Sequence, residues 1–440
     1  MAKGRAPMRL ATFASLVVVT SFSFLYACGG STDGGAADTS DSGADDSGRR
    51  VDASRDAGNA DVDNGSPSTT YPAFKIDPPQ VVNATVGPVL ATPKIVPVYF
   101  NNDDTAFTAS LTTFLDKLPA STYWGPAETE YGVGAITVAD PVQLTGDALV
   151  SMDDSDIQTF LANEIANDTS WPAPDASTIY ALFYPAATTS ITLGQGGGTS
   201  CTDFGGYHQD ILVGGTTHVA YAVIPRCSDF DGFHGLDAVT AAASHEFIEA
   251  STDPYPINLP AYGQVDDNHI IWEFLLGGGE VSDMCAQALT SYYSPADLGS
   301  TVTRSWSNKA AKAGHDPCVP TDGTPYFNSM PLLNEDVSVG GQGTSKGVTI
   351  AVGATKTIEV DLFSDAPTTG PWTVTAEDSS ALTGDTPELV MTWDRLTGVN
   401  GEKLHLTITV DHASQYGAEG FIIESTLGDR TNTWAGLVGN

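Results

Sequence analysis

The sequence predicts an α/β (α+β) domain over residues 72–325 followed by an all-β sandwich over residues 345–440. Three observations carry this. Apolar strand-like runs at residues 94–100 (KIVPVYF), 178–184 (TIYALFY) and 218–225 (HVAYAVIP) alternate with segments of helical periodicity. After residue 345 the pattern becomes strand upon strand. Between the two textures Pro320, Gly323, Pro325, Gly340, Gly341 and Gly343 cluster, as expected of a domain boundary.

In the first domain Phe107, Leu111, Phe114, Leu115 and Leu118 recur at intervals of three or four, and so do Ile157, Phe160, Leu161 and Ile165. Each set makes one apolar helix face. In the second domain strands are expected at residues 348–352, 357–363, 372–375, 388–393, 404–410 and 421–425. The run LHLTITV at 404–410 strictly alternates apolar and polar residues, as a strand with one wet face requires. His405 and His412 read as ordinary surface residues, and Trp372, Trp393 and Trp434 as aromatic core rather than a sugar site.

Lys3, Arg5 and Arg9 precede a largely apolar stretch that ends in Leu25-Tyr26-Ala27-Cys28-Gly29. A charged start, an apolar middle and a small residue before the cut make a signal peptide over residues 1–27. The ending resembles the lipobox of bacterial lipoproteins, which implies a lipid anchor through Cys28, and Gly29 implies outer-membrane sorting. Thr12, Ser15, Thr20, Ser21 and Ser23 interrupt the apolar run and argue against a retained span. Residues 28–71 are rich in Ser, Gly, Ala and Asp and read as a disordered acidic tether. The expected location is the cell envelope, as an outer-membrane lipoprotein or at the cell surface.

The net charge is −36, of which about −33 falls on residues 71–440. Such a surface repels phosphate backbones and anionic headgroups, so nucleic-acid partners are excluded. Oligomeric state is not legible. With Cys28 assigned to lipid, Cys201, Cys227, Cys285 and Cys318 remain, an even number for an oxidising compartment. Nearness in sequence favours the pairs Cys201–Cys227 and Cys285–Cys318.

The chemistry concentrates in residues 236–254 (LDAVTAAASHEFIEASTDP), an alanine-rich helical pattern stopped by Pro254. Within it His245-Glu246-Phe247-Ile248-Glu249 is an H-E-x-x-E motif. Residues 245 and 249 project from one face and can grip one ion, while Glu246 stands beside it, where a carboxylate can deprotonate a water. Ionisable groups among alanines cost several kcal/mol unless paired or metal-bound. Glu280 is the first choice for a third ligand and Asp283 the second. Asp253 reads as helix-end chemistry and His269 as a loop residue. His208 and His234 are candidate transition-state donors. Ser244 lies within the helix rather than at a strained turn, which argues against its being a serine nucleophile.

Tyr123-Trp124, Tyr131-Gly132-Val133-Gly134, Cys201 with Gly206-Tyr207-His208, Cys227, the H-E-x-x-E helix running on through Ala250, Thr252, Asp253 and Pro254, and Glu280-x-x-Asp283-x-Cys285 together resemble the exordium-like family of secreted proteins. The resemblance covers roughly residues 90 to 320. It implies a zincin-like domain with His245, Glu249 and an acid from the 280–283 stretch as ligands and Glu246 as base. The segment between Pro254 and Glu280 departs from that pattern, being longer and more apolar near residues 270–276.

Two functions are consistent with this sequence. One is an exported zinc peptidase-like hydrolase acting on a peptide or cell-envelope substrate, with manganese or calcium as alternative cations for so oxygen-rich a site. The other is a non-catalytic surface or adhesion protein with a structural metal site and a β-sandwich binding module.

Overall fold

Three parallel strands buried on both faces fix the architecture of the first domain. The computed structural model describes residues 63–440 except 126–127, 195–196, 231, 321–322, 340–342, 384–385 and 415, so the expected signal peptide and Cys28 lie outside the described residues. Strands β1 (Lys94–Tyr99), β2 (Thr137–Val138), β3 (Val142–Gln143), β4 (Thr178–Phe183), β5 (Tyr207–Val213) and β6 (Thr217–Ile224) form one sheet. Its order is β2-β1-β4-β6-β5, with β3 also on β1. All pairings are parallel except that of β5, an antiparallel edge strand.

Ile95, Ile179, Ala181, Phe183, Ala220 and Ala222 face one side, where helices α1 (Thr105–Lys117) and α3 (Leu236–Thr252) pack. Val96, Val98, Tyr180, Leu182, Tyr221 and Val223 face the other, against Ile157 and Leu161 of α2 (Asp154–Asn167). A strand buried on both faces reads as a continuous apolar run, which is why these three strands were legible. The expected helix faces hold as well: Leu111, Phe114, Leu115 and Leu118 are all buried. Asp104 caps α1 by accepting from the amides of Ala106 and Phe107.

The sandwich has a four-stranded sheet of order β7 (Phe327–Pro331), β10 (Thr355–Ser364), β14 (Lys403–Val410), β12 (Leu389–Trp393). The opposing sheet runs β8 (Glu335–Ser338), β9 (Thr344–Thr349), β16 (Arg430–Gly439), β15 (Ala418–Leu427), β11 (Trp372–Asp378), β13 (Thr397–Gly398). Trp372 and Trp434 are core residues as expected and Trp393 is half-buried. His412 is exposed, whereas His405 is half-buried against Asp394 at 3.0 Å.

The expected α/β (α+β) zincin-like class is overturned. Among the described residues strands outnumber α-helices twenty-four to seven and fall into seven sheets, so the chain is mainly β. Long helices are confined to α1–α3, and short antiparallel pairings such as Val81–Val82 with Gln264–Val265 order loops that have no periodic pattern to read. The sandwich also begins earlier than residue 345. Strand β7 gives a weak strand signal because it ends in Pro331, which an edge strand tolerates. Strand β16 carries Gly436, where a Cβ would stand 2.2 Å from the Phe421 ring.

Residues 63–71, assigned to the tether, are instead pinned to the sandwich. The Ser66 and Ser68 amides donate to the carbonyls of Gly401 and Asn400, and the Asn400 side chain donates to Ser68 and Thr70. The apolar stretch near 270–276 is helix α4 (Ile271–Leu276), which joins the two domains. Its Trp272 meets Trp306 of the first domain and Trp434 of the second edge-on, at 6.1 and 5.6 Å between ring centroids. One core runs through both domains. Trp272→Ala is therefore expected to cost about 3–5 kcal/mol. Urea unfolding followed by circular dichroism checks this, and a loss below about 1 kcal/mol would contradict it.

Candidate metal centre

Helix α3 is buried on nearly every side, which explains its alanines. Ala243, Phe247 and Ala250 press on the sheet side, and the opposite flank is covered by residues 301–303. Thr240 donates to the Thr301 carbonyl at 2.8 Å, and Ser244 accepts from the Thr303 amide at 3.0 Å while donating to Ala241. Ser244 is thus a structural hydroxyl. What remains of the helix surface carries His245, Glu246 and Glu249.

Helical spacing brings His245 Nε2 within 3.0 Å of Glu249 Oε1. Asp283, the first residue of helix α5 (Asp283–Ala286), adds Oδ1 at 3.3 Å from the same imidazole nitrogen, and its amide donates to Glu249 Oε1 at 3.1 Å. The Cys285–Cys318 disulfide holds this turn, and the Ser282 hydroxyl donates to the His245 carbonyl. The other bridge joins Cys201 to Cys227, so both expected pairings are present. His245, Glu249 and Asp283 each offer a ligand atom within 4.8 Å of the others.

Asp283, the second choice, is therefore the acid beside His245 and Glu249. Glu280, the first choice, faces His208 instead, with Oε1 3.5 Å from His208 Nε2. That oxygen is buried and without a hydrogen-bond partner. His208 lies on edge strand β5 opposite α3, and its Nδ1 is 3.5 Å from Glu246 Oε2 and 3.9 Å from Glu249 Oε2. Its Nε2 meets the Asp253 carbonyl at 3.0 Å. Gly206, just before β5, permits this approach: a Cβ there would stand 2.9 Å from the Glu246 side chain. The expectation for His234 fails. It lies exposed on the surface, opposite Asp229 in a short antiparallel hairpin and 3.7 Å from that carboxylate.

Asp253, the residue that ends α3, is buried, and its carboxylate accepts from the Ala261 amide at 2.7 Å across the following loop. His269 bonds Asp266 in the adjacent loop. Two contributions were not read from sequence. His208 belongs to a second group of potential ligands with Glu246 and Glu249, all three buried, and the Asp253 carbonyl orients it.

The electrostatics follow from crowding. Five carboxylates, Glu246, Glu249, Asp253, Glu280 and Asp283, surround two imidazoles, and among the described residues no lysine or arginine is ion-paired with any of them. Burial, then the Asp283 charge, pushes Glu249 up to about 7. Burial pushes Glu280 well above the carboxylate range. For His208 burial acts downward, but the carboxylates of Glu280, Glu246 and Glu249 outweigh it and push the imidazole up to about 10. His245 is likewise raised, by Glu249 and Asp283 against its burial. The donor set suits a divalent cation: imidazole and carboxylate ligands fit zinc, and the oxygen-rich balance also fits manganese or calcium.

No family model matches the chain, and no curated protein matches it. Among solved structures it is similar to domains 4 and 5 of the S-layer protein SbsC, at 16% identity and a TM-score of 0.16, over 25% of this chain and 54% of that one. The chain thus spans about half the length of that structure. It is also similar to the titin M3 domain, at 11% identity and TM-score 0.16, over 26% of this chain and 94% of that one. A family 123 glycoside hydrolase from Clostridium perfringens matches at 8% identity and TM-score 0.17, over 26% of this chain and 27% of that one.

A pH dependence follows. In the metal-free protein Glu249 and His208, raised to about 7 and about 10 from ordinary values of 4.5 and 6.5, hold protons more tightly when folded. Their stabilising contribution is complete below the ordinary values and is lost as pH rises through about 7 and then about 10. A cation bound by Glu249 replaces its proton, so the rise in Tm on adding zinc is expected to be larger near pH 8 than near pH 5. Scanning fluorimetry checks this, and an equal or larger rise near pH 5 would count against it.

Proposed function

We propose that this protein is an exported, lipid-anchored, divalent-metal-dependent hydrolase of peptide bonds, related to the exordium-like proteins. The observation that carries this is the convergence of His245, Glu249 and Asp283 inside a buried group of carboxylates that has no lysine or arginine ion pair among the described residues. So much buried negative charge needs protons or a cation. Zinc is the first choice of ion, with manganese and calcium as alternatives. Export agrees with the two disulfides, which persist in oxidising compartments. Among the described residues no helix is long and apolar enough to cross a membrane.

A divalent cation held by His245, Glu249 and Asp283 supplies Lewis-acid chemistry, acidifying water and polarising a carbonyl. The remaining work belongs to the side chains around it. Glu246, which is not one of those three ligands, accepts a proton from water as its oxygen bonds to the carbonyl carbon. The same carboxyl returns that proton to the leaving amine as the carbon–nitrogen bond breaks. His208, drawn towards its protonated form by the carboxylates around it, donates to the oxyanion. Gly206 leaves room for Glu246 to stay in place.

Two variants test these roles. The wild-type protein is expected to bind zinc and cleave an unfolded protein substrate, whereas Glu246→Gln keeps one equivalent of zinc and loses about 10²- to 10⁴-fold in rate. Gly206→Ala displaces the Glu246 carboxyl, so kcat should fall with one equivalent of zinc still bound. Metal without turnover in the wild type would favour a non-catalytic surface protein whose sandwich is the binding module. A protein that binds no metal and is indifferent to His245→Ala would overturn the metal proposal altogether.

A further inference from the structure

Glu249 turns its two oxygens to different partners. Oε1 faces His245 and the Asp283 amide, while Oε2 faces His208. On the His208 side Glu246, Glu249 and His208 again place one ligand atom each within 4.8 Å of one another, and all three residues are buried. The orientation of the imidazole is telling. Its Nε2 lies 3.0 Å from the Asp253 carbonyl, which can only accept, so in the neutral ring Nε2 carries the proton. Nδ1 is then a lone pair, and it points at Glu246 Oε2 and Glu249 Oε2 at 3.5 and 3.9 Å. Three acceptors converge with nothing but a proton or a cation to hold them together. A carbonyl fixing the far nitrogen of a histidine is also the usual support of a metal-ligating imidazole. Beside it the buried, unpartnered Glu280 Oε1 adds a further acceptor 3.5 Å from the ring.

We propose that this pocket holds a second divalent-cation site, made by His208 Nδ1, Glu246 and the second oxygen of Glu249, and that filling it switches the hydrolase off. The inference rests on the proposed function, because it needs the first cation and the roles given to Glu246 and His208. The second ion binds more weakly. It shares the Glu249 carboxylate with the first and stands close to a like charge in a poorly solvated pocket. Its occupancy ties the lone pairs of Glu246 and His208 to the ion, so no proton acceptor and no oxyanion donor remain. Excess zinc therefore inhibits at concentrations set by the second site.

The test is titration of the metal-free full chain with zinc, following heat, bound metal and peptide cleavage together. The expected result is two equivalents, the second at least about tenfold weaker, with cleavage rising on the first and falling about tenfold or more on the second. His208→Gln, slower from the outset, is expected to bind one equivalent and to keep its residual rate in excess zinc. Should that variant fail to fold, electron paramagnetic resonance of the wild type loaded with two equivalents of Mn²⁺ is expected to show a spin-coupled pair. One equivalent with cleavage undiminished in excess zinc would overturn the second site and leave the first standing. Two equivalents in both wild type and His208→Gln, or two uncoupled Mn²⁺ ions, would also overturn it. Binding of no cation at all would overturn both readings.

Discussion

Buried negative charge, with no lysine or arginine among the described residues to balance it, is the constraint on which the functional centre depends. Glu246, Glu249 and Asp253 are nearly inaccessible, and Glu280 and Asp283 border them. The two imidazoles present are both drawn towards the protonated form by those neighbours. In water five such carboxylates would simply ionise; here desolvation and mutual repulsion push Glu249 and Glu280 towards holding protons instead. A cation relieves the same strain more completely than protons can, because one ion interacts with several carboxylates at once.

The rest of the molecule keeps those groups in place and dry. Helix α3 is wedged between the central sheet and the 301–303 segment, so its orientation is set by packing rather than by the site. Strand β5 holds His208 opposite the helix, and the Cys285–Cys318 bridge anchors the turn that delivers Asp283. Helix α4 then locks this assembly onto the sandwich through the Trp306, Trp272 and Trp434 cluster. The sandwich shares the same apolar core, and the segment at 63–71 is bound to its surface. The turn carrying Glu280 and Asp283 follows α4 closely in the chain.

Legibility in the sequence tracked how local the signal was. The i, i+4 spacing of His245 and Glu249 is a property of one helix, and the structure keeps it. The α1 and α2 faces and the parallel strands were likewise written in short-range periodicity. Choosing between Glu280 and Asp283 required knowing which way a turn points. His208 required knowing that β5 pairs antiparallel at the sheet edge beside α3, a long-range fact with no periodic trace. Fold class is hidden in the sequence for a related reason. The long helices give the strongest periodic signal, whereas strands and two-residue pairings with partners distant in sequence outnumber them among the described residues.

The central claim is that His245, Glu249 and Asp283 close around one divalent ion. Anomalous diffraction at the zinc edge from crystals of the zinc-loaded protein tests it most directly. The account predicts a peak about 2.0–2.2 Å from His245 Nε2 and from an oxygen of each carboxylate. Density elsewhere, with His245 still hydrogen-bonded to Glu249 and no peak between them, would contradict it.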